Sequence, residues 1–170
     1  NFSLEETPFH LKNSINDLMT PSAYRIQEKG LEFSTQYSDD LPTVVRGDPT
    51  RLRQVLSNLL DNAIKFTDTG SISLSVEPGE KPNDIQFSLT DTGIGMTKSQ
   101  LALIFKPFIQ ADQSTTRRFG GTGLGMGISK QIVEMMGGTL RVDSRLGMGS
   151  TIHFIVPLLA TDQKEGVLYE

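Results

Sequence analysis

The sequence predicts an α+β domain of two layers, a mixed and mostly antiparallel sheet with helices on one face. Two patterns carry this expectation. Apolar residues recur at helical spacing in long stretches, and they alternate with polar residues in short stretches bounded by Gly, Pro and Asn. The chain has 170 residues, 36% hydrophobic and 21% charged, which suffices to bury a core.

Residues 1–12 read as a linker, with Pro8-Phe9-His10-Leu11 extended. Ile15, Leu18, Met19, Ala23 and Ile26 then mark a helix that Gly30 stops, with Pro21 as a kink or break. Leu31, Phe33, Thr35 and Tyr37 alternate as a strand. Asp48-Pro49 is an N-cap followed by a first-turn proline, opening the best-defined helix. Its buried face is Leu52, Val55, Leu56, Leu59, Leu60, Ala63 and Ile64, running to Phe66 before Gly70.

Ile72, Leu74 and Val76, then Ile85, Phe87 and Leu89, form two strands of a hairpin around Pro78-Gly79 and Pro82-Asn83. A short helix is expected over 97–104 and a long loop over 106–122. Leu124, Ile128, Ile132, Val133 and Met136 describe another helix, closed by Gly137-Gly138. Leu140 and Val142, then Ile152, Phe154 and Val156, give the last strands, and 159–170 reads as a frayed polar tail. The folded domain is thus expected over 13–158.

Composition removes several functions. Without cysteine there is no disulfide framework, thiolate metal site or cysteine nucleophile. His10 and His153 lie too far apart in sequence for a multi-histidine zinc site. Sixteen Lys+Arg against 20 Asp+Glu leave a net charge of −4, unlike a general nucleic-acid binder. No run approaches the roughly 18–20 apolar residues of a membrane span, so no direct membrane contact is expected. Residues 1–4 lack the pattern of a signal peptide, and the chain reads as a piece of something longer.

The glycines cluster at 120, 121, 123, 125 and 127, next to a helix start. Such clustering suits close backbone approach, a hinge or an anion site, and equally a plain flexible loop. Neither G-x-G-x-x-G nor G-x-x-x-x-G-K-[ST] occurs, so dinucleotide-fold and P-loop readings fail on spacing. Arg51, Asn58, Asn62 and Lys65 form a polar stripe along the long helix. It is either a solvated face or a set of neutral oxygens and one cation suited to Mg2+ and phosphate. Asp91, before Gly93 and Gly95, is either an Asx-turn or an acceptor for an exocyclic amine such as adenine N6. The run 147–150 is a tight hairpin, or brings backbone and hydroxyl to the same base.

Five segments occur in order: 51–67 (RLRQVLSNLLDNAIKFT), 91–96 (DTGIGM), 105–108 (FKPF), 120–125 (GGTGLG) and 147–151 (GMGST). They closely resemble the N, G1, F, G2 and G3 boxes of the catalytic ATP-binding domain of sensor histidine kinases, in the superfamily that includes DNA gyrase, heat-shock chaperone and mismatch-repair ATPases. The likeness covers roughly 8–158. It implies the Bergerat-type sandwich with a mobile ATP lid over about 106–122.

By position, the resemblance implies that Asn62 is the principal Mg2+ ligand supported by Asn58, that Lys65 contacts phosphate, and that Phe66 packs on adenine or ribose. Asp91 would read adenine N6, with Gly93, Ile94 and Gly95 as the adjoining wall. Arg117 or Arg118 would meet the γ-phosphate. Gly121, Thr122, Gly123, Leu124 and Gly125 would line the phosphates with backbone donors, and Ser150 or Thr151 would assist adenine recognition through a water. Gyrase-like members have Glu where this chain has Asn58, a neutral amide that cannot act as general base. Phosphotransfer to a protein nucleophile is therefore expected over rapid hydrolysis, with stabilisation by Mg2+, Lys65 and an arginine.

Neither His10 nor His153 resembles the phosphoacceptor, which the family carries on a separate helical domain. The implied partners are that dimerisation and histidine-phosphotransfer domain, to which 1–12 would link, and a response regulator or receiver domain. The isolated chain should bind ATP without phosphorylating itself. The resemblance places it in the cytoplasm, even under a membrane-anchored parent. Where the family usually has Leu-Ala after the G2 box, this chain has Met126-Gly127, which predicts a softer junction into the following helix.

Overall fold

The structure, a computed structural model, describes residues 4–95 and 123–161. Its elements are β1 (Thr7–His10), α1 (Leu11–Glu28), β2 (Glu32–Tyr37), β3 (Val44–Gly47), α2 (Pro49–Phe66), β4 (Ser71–Pro78), β5 (Asp84–Asp91), α3 (Gly123–Met135), β6 (Thr139–Arg145), β7 (Gly149–Pro157) and β8 (Leu159–Ala160). The expected helix at 97–104 and loop at 106–122 lie outside the described residues.

The main sheet has the order β2-β4-β5-β7-β6, with β2 and β4 parallel and every other pair antiparallel. Ile72, Leu74, Val76, Ile85, Phe87, Leu89, Ile152, Phe154 and Val156 point to one face and are buried. The residues between them, Ser73, Ser75, Ser88, Thr90 and His153, occupy the other, partly exposed face. This period of two follows from the pleat. The apolar face packs against Ile15, Ile26, Leu52, Leu56, Leu59, Leu60 and Val133 of the helices, forming one core. At its centre the Phe87 and Phe154 rings stack with centroids 4.5 Å apart.

Glycine closes both flanking helices. Leu31 N–H donates to Ile26 O and Gly30 N–H to Gln27 O, a Schellman closure that uses Gly30 at φ 83°. Gly138 N–H to Val133 O and Gly137 N–H to Glu134 O repeat it at the end of α3, with Gly137 at φ 90°. Helix α1 continues through Pro21, where the sequence suggests a kink or break.

A second sheet, β1-β3-β8, was not expected from the sequence. Strands β1 and β3 are four residues each and β8 two, too short to show alternation. Residues 7–10 are extended as the sequence suggests, yet Phe9 is fully buried and Phe9–His10 pairs with Val44–Val45. Packed structure therefore begins inside the segment read as linker. At the other end Arg46–Val45 pairs with Leu159–Ala160, inside the segment read as tail. Burial of Leu158 between β7 and β8 anchors that strand.

Candidate functional site

Helix α2 carries half of the site. Asp48 Oδ1 accepts from the Arg51 amide at 3.1 Å, and Oδ2 from the Glu5 amide at 3.0 Å, so its first turn is capped. At the other end Thr67 is extended, and the last carbonyls need donors from outside the helix. Phe66 O accepts from the Ile94 amide at 3.3 Å, and Ile64 O accepts from Lys29 Nζ.

The polar stripe lies at the edge of the buried face. Asn58 is half-buried, and its Nδ2 donates to Ser129 Oγ of α3 at 3.4 Å. Asn62 is 6% exposed, and its amide nitrogen has no hydrogen-bond partner among the described residues. A buried polar group left unpaired costs about 1–3 kcal/mol, so the described residues alone do not complete this position. Lys65, one turn on, is exposed, and Phe66 is half-buried.

The end of β5 carries the other half. Asp91 is 8% exposed, and its Oδ1 accepts from the Gly93 amide at 2.8 Å, so the Asx-turn is formed. Burial raises its pKa, opposed by the Gly93 and Ser150 amides and by the Thr67 hydroxyl. That hydroxyl is fully buried and close enough to favour the carboxylate, but its geometry falls short of a hydrogen bond.

The glycines around Asp91 are required by close approach. A Cβ on Gly93 would meet Phe66 O, and one on Gly95, at φ 71°, would meet Arg145 O. A Cβ on Gly149, at φ 86°, would meet Asp91 O. The Gly147 amide donates to Ile94 O at 2.6 Å. The turn after β5 is thus wedged between the end of α2 and the β6–β7 turn, and the stripe of α2 is pinned beside the carboxylate.

Other candidates divide cleanly. Ser150 pairs in register with Asp91 and shares its face, with its Oγ 2.7 Å from Ser144 Oγ. Thr151 falls on the opposite face, 3.2 Å from Thr90 Oγ1, and does not join the site. Helix α3 begins at Gly123, so the amides of Gly123, Leu124 and Gly125 belong to a first turn and have no acceptor within the helix. Arg117, Gly121 and Thr122 lie outside the described residues. His10 Nδ1 caps α1 through the Asn13 amide, and His153 sits on the outer face between Ser88 and Asp143.

Three contributors were not assigned from sequence: Thr67, Ser129 and Lys29. Thr67 follows the polar stripe directly, and that adjacency was its only signal. Ser129 lies 71 residues from its partner and Lys29 lies 35 from Ile64, separations at which no local pattern exists.

This arrangement defines an ATPase-type nucleotide-binding domain, and the chain belongs to the histidine kinase-, DNA gyrase B-, and HSP90-like ATPase family, matched over residues 47–160. Within that family it is an ATP-binding catalytic domain of the sensor histidine kinase type. It is 40% identical over 158 residues to the signal transduction histidine-protein kinase BarA of Escherichia coli strain K12, covering 91% of this chain and 17% of BarA. Among solved structures it resembles full-length ShkA in complex with AMPPNP, with a TM-score of 0.81 and 32% identity over 94% of this chain and 32% of ShkA. It also resembles the histidine kinase ThkA in complex with the response regulator TrrA, with a TM-score of 0.72 and 27% identity over 95% of this chain and 43% of ThkA. Among the described residues no helix is long and apolar enough to cross a membrane.

Proposed function

We propose that this domain binds Mg-ATP between the Asn58–Phe66 edge of α2 and Asp91, and presents the γ-phosphate to a histidine on a separate domain. The pinning of α2 to the turn after Asp91, through the Ile94 amide and Phe66 O, carries the proposal. It sets a neutral-oxygen and lysine edge beside a buried acceptor, which suits a ligand with phosphates at one end and an exocyclic amine at the other.

The residues fit both groups. The Asn62 amide nitrogen, unpartnered among the described residues, is a donor suited to a phosphate oxygen, and asparagine carbonyls are hard oxygen ligands of the kind Mg2+ takes. A cation at Asn58 and Asn62 would draw its other ligands from phosphate and water, as Mg2+ commonly does. Bound Mg-ATP supplies the transferable phosphoryl group. Lys65 adds positive charge at the phosphate end, the first-turn amides of α3 add donors, and Asp91 accepts from adenine N6 with Ser150 beside it. Arg117, Gly121 and Thr122 complete the phosphate contacts. Asn58 has no basic atom with which to activate water, which favours transfer to a protein nucleophile over hydrolysis.

The chain spans 17% of BarA, and the partners of the proposed function include a domain of the same parent protein as well as a phosphoryl receiver. They are a dimerisation and histidine-phosphotransfer domain and a response regulator or receiver domain, the latter supported by the ThkA–TrrA complex. The domain works on the cytoplasmic side, where ATP is.

Calorimetric titration with a nonhydrolysable ATP analogue, with and without Mg2+, tests the first half. Mg2+-dependent binding is expected, weakened in Asn62→Ala and in Asp91→Ala. Phosphotransfer to a supplied acceptor domain tests the second, and rapid ATP hydrolysis that survives Asn58→Ala would count against it.

A further inference from the structure

We propose that Lys29 is a positioning residue for the phosphate end of this site, acting through the last turn of α2. The inference rests on the function proposed above. Lys29 is the C-cap of α1, and the Schellman closure through Gly30 and Leu31 fixes its backbone. Leu31 is buried, so the closure is anchored in the core. From that fixed point the side chain crosses to α2, where Nζ donates to Ile64 O and lies 3.7 Å from Asp68 Oδ1. Asp68 is 85% exposed, so the ion pair contributes little, and the contact with the carbonyl is the one that matters.

Ile64 O is one of the carbonyls that α2 cannot satisfy itself, because Thr67 leaves the helix. A cation there also opposes the negative end of the helix dipole. Ile64 stands between Asn62 and Lys65, the two side chains assigned to metal and phosphate. A second external donor, the Ile94 amide, holds Phe66 O two residues further on and belongs to the Asp91 side. Asp91 itself is set by the Gly93 and Ser150 amides, with the Thr67 hydroxyl at the C-cap of α2 as a lesser contributor. Lys29 thus braces the last turn of α2, whereas the main partners of Asp91 are amides outside that helix, so the phosphate end depends on Lys29 more than the purine end does.

The test compares two ligands on the full 170-residue chain. Mg-AMPPNP reports on both ends of the site, and adenosine, followed by NMR shift titration, reports on the purine end. Lys29→Met is expected to weaken Mg-AMPPNP by about two- to fivefold, the typical range of a cation at a helix terminus, and to weaken adenosine by less. Lys29→Arg should restore the nucleotide affinity. Equal losses for both ligands would reduce Lys29 to a general structural role, and no loss for either would remove it altogether; both outcomes overturn the inference. Should Lys29→Met fail to fold, Lys29→Gln keeps a donor without the charge, and amide exchange is expected to quicken over residues 62–66 but not over 89–93. A wild-type chain that binds no Mg-AMPPNP overturns the proposed function and this inference with it. A wild-type chain that binds, with unchanged Lys29 variants, overturns this inference alone.

Discussion

Asp91 shows how one side chain can work against the fold that holds it. Its pKa is raised, with burial the largest cause. A carboxyl whose pKa is higher folded than unfolded adds stability below the unfolded value, and that stability is lost as pH rises through the folded value. At neutral pH the buried charge therefore opposes folding. Asp91→Asn keeps an acceptor for the Gly93 amide and removes the charge. It is expected to leave the Tm at pH 7 unchanged or higher, with the advantage fading towards acid, in thermal melts across pH. The same variant should weaken nucleotide binding by about tenfold or more, since an amide cannot replace the charged acceptor for an exocyclic amine. Wild-type nucleotide affinity should correspondingly fall on acidification at a higher pH than an ordinary aspartate titrates. Ser129 acts more mildly. Ser129→Ala frees the Asn58 amide to rotate, and a loss of up to about 1 kcal/mol in Mg-nucleotide affinity is expected by calorimetry.

Turns and strand ends give a sharper contrast between elements. Gly95 and Gly147 both have positive φ, at 71° and 82°. A Cβ at Gly147 meets nothing within 4 Å, whereas one at Gly95 collides with the Arg145 carbonyl. Gly147→Ala should therefore cost only the left-handed conformation, about 1 kcal/mol by urea unfolding. Gly95→Ala must also separate the turn after β5 from β6, and is expected to cost about 2 kcal/mol or more and to impair nucleotide binding. Similar losses from the two variants would contradict the wedge described for that turn. Gly127→Ala tests the junction into α3. It should gain up to about 1 kcal/mol if helix propensity alone decides the outcome, read in the same unfolding experiment.

Across the whole molecule, the second sheet ties both ends of the described chain to β3. Phe9 is buried in the main core, although its neighbours read as a linker. Phe9→Ala should cost about 3 kcal/mol or more in urea unfolding, the usual range for deleting a buried ring. A value near zero would mean that β1 is an appendage and that the cooperative unit begins at α1.

Long periodic elements were legible from sequence because their pattern is local. The apolar face of α2, the alternation of β4, β5 and β7, the Asp48 cap and the glycine stops of α1 and α3 each declare themselves within a few residues. The chemistry of the stripe and of Asp91 was also legible as residue types at fixed spacing, though each piece alone allowed a plain structural reading. Tertiary structure decided what depends on distant partners. It paired β1, β3 and β8, which are too short to carry a pattern, and it separated Ser150 from Thr151 by the side of the sheet each faces. It also brought Ser129 to Asn58 and Lys29 to Ile64. The reason is one of range: hydrophobic period and capping are set by neighbours along the chain, whereas orphaned carbonyls and short strands find their partners only after the core has closed.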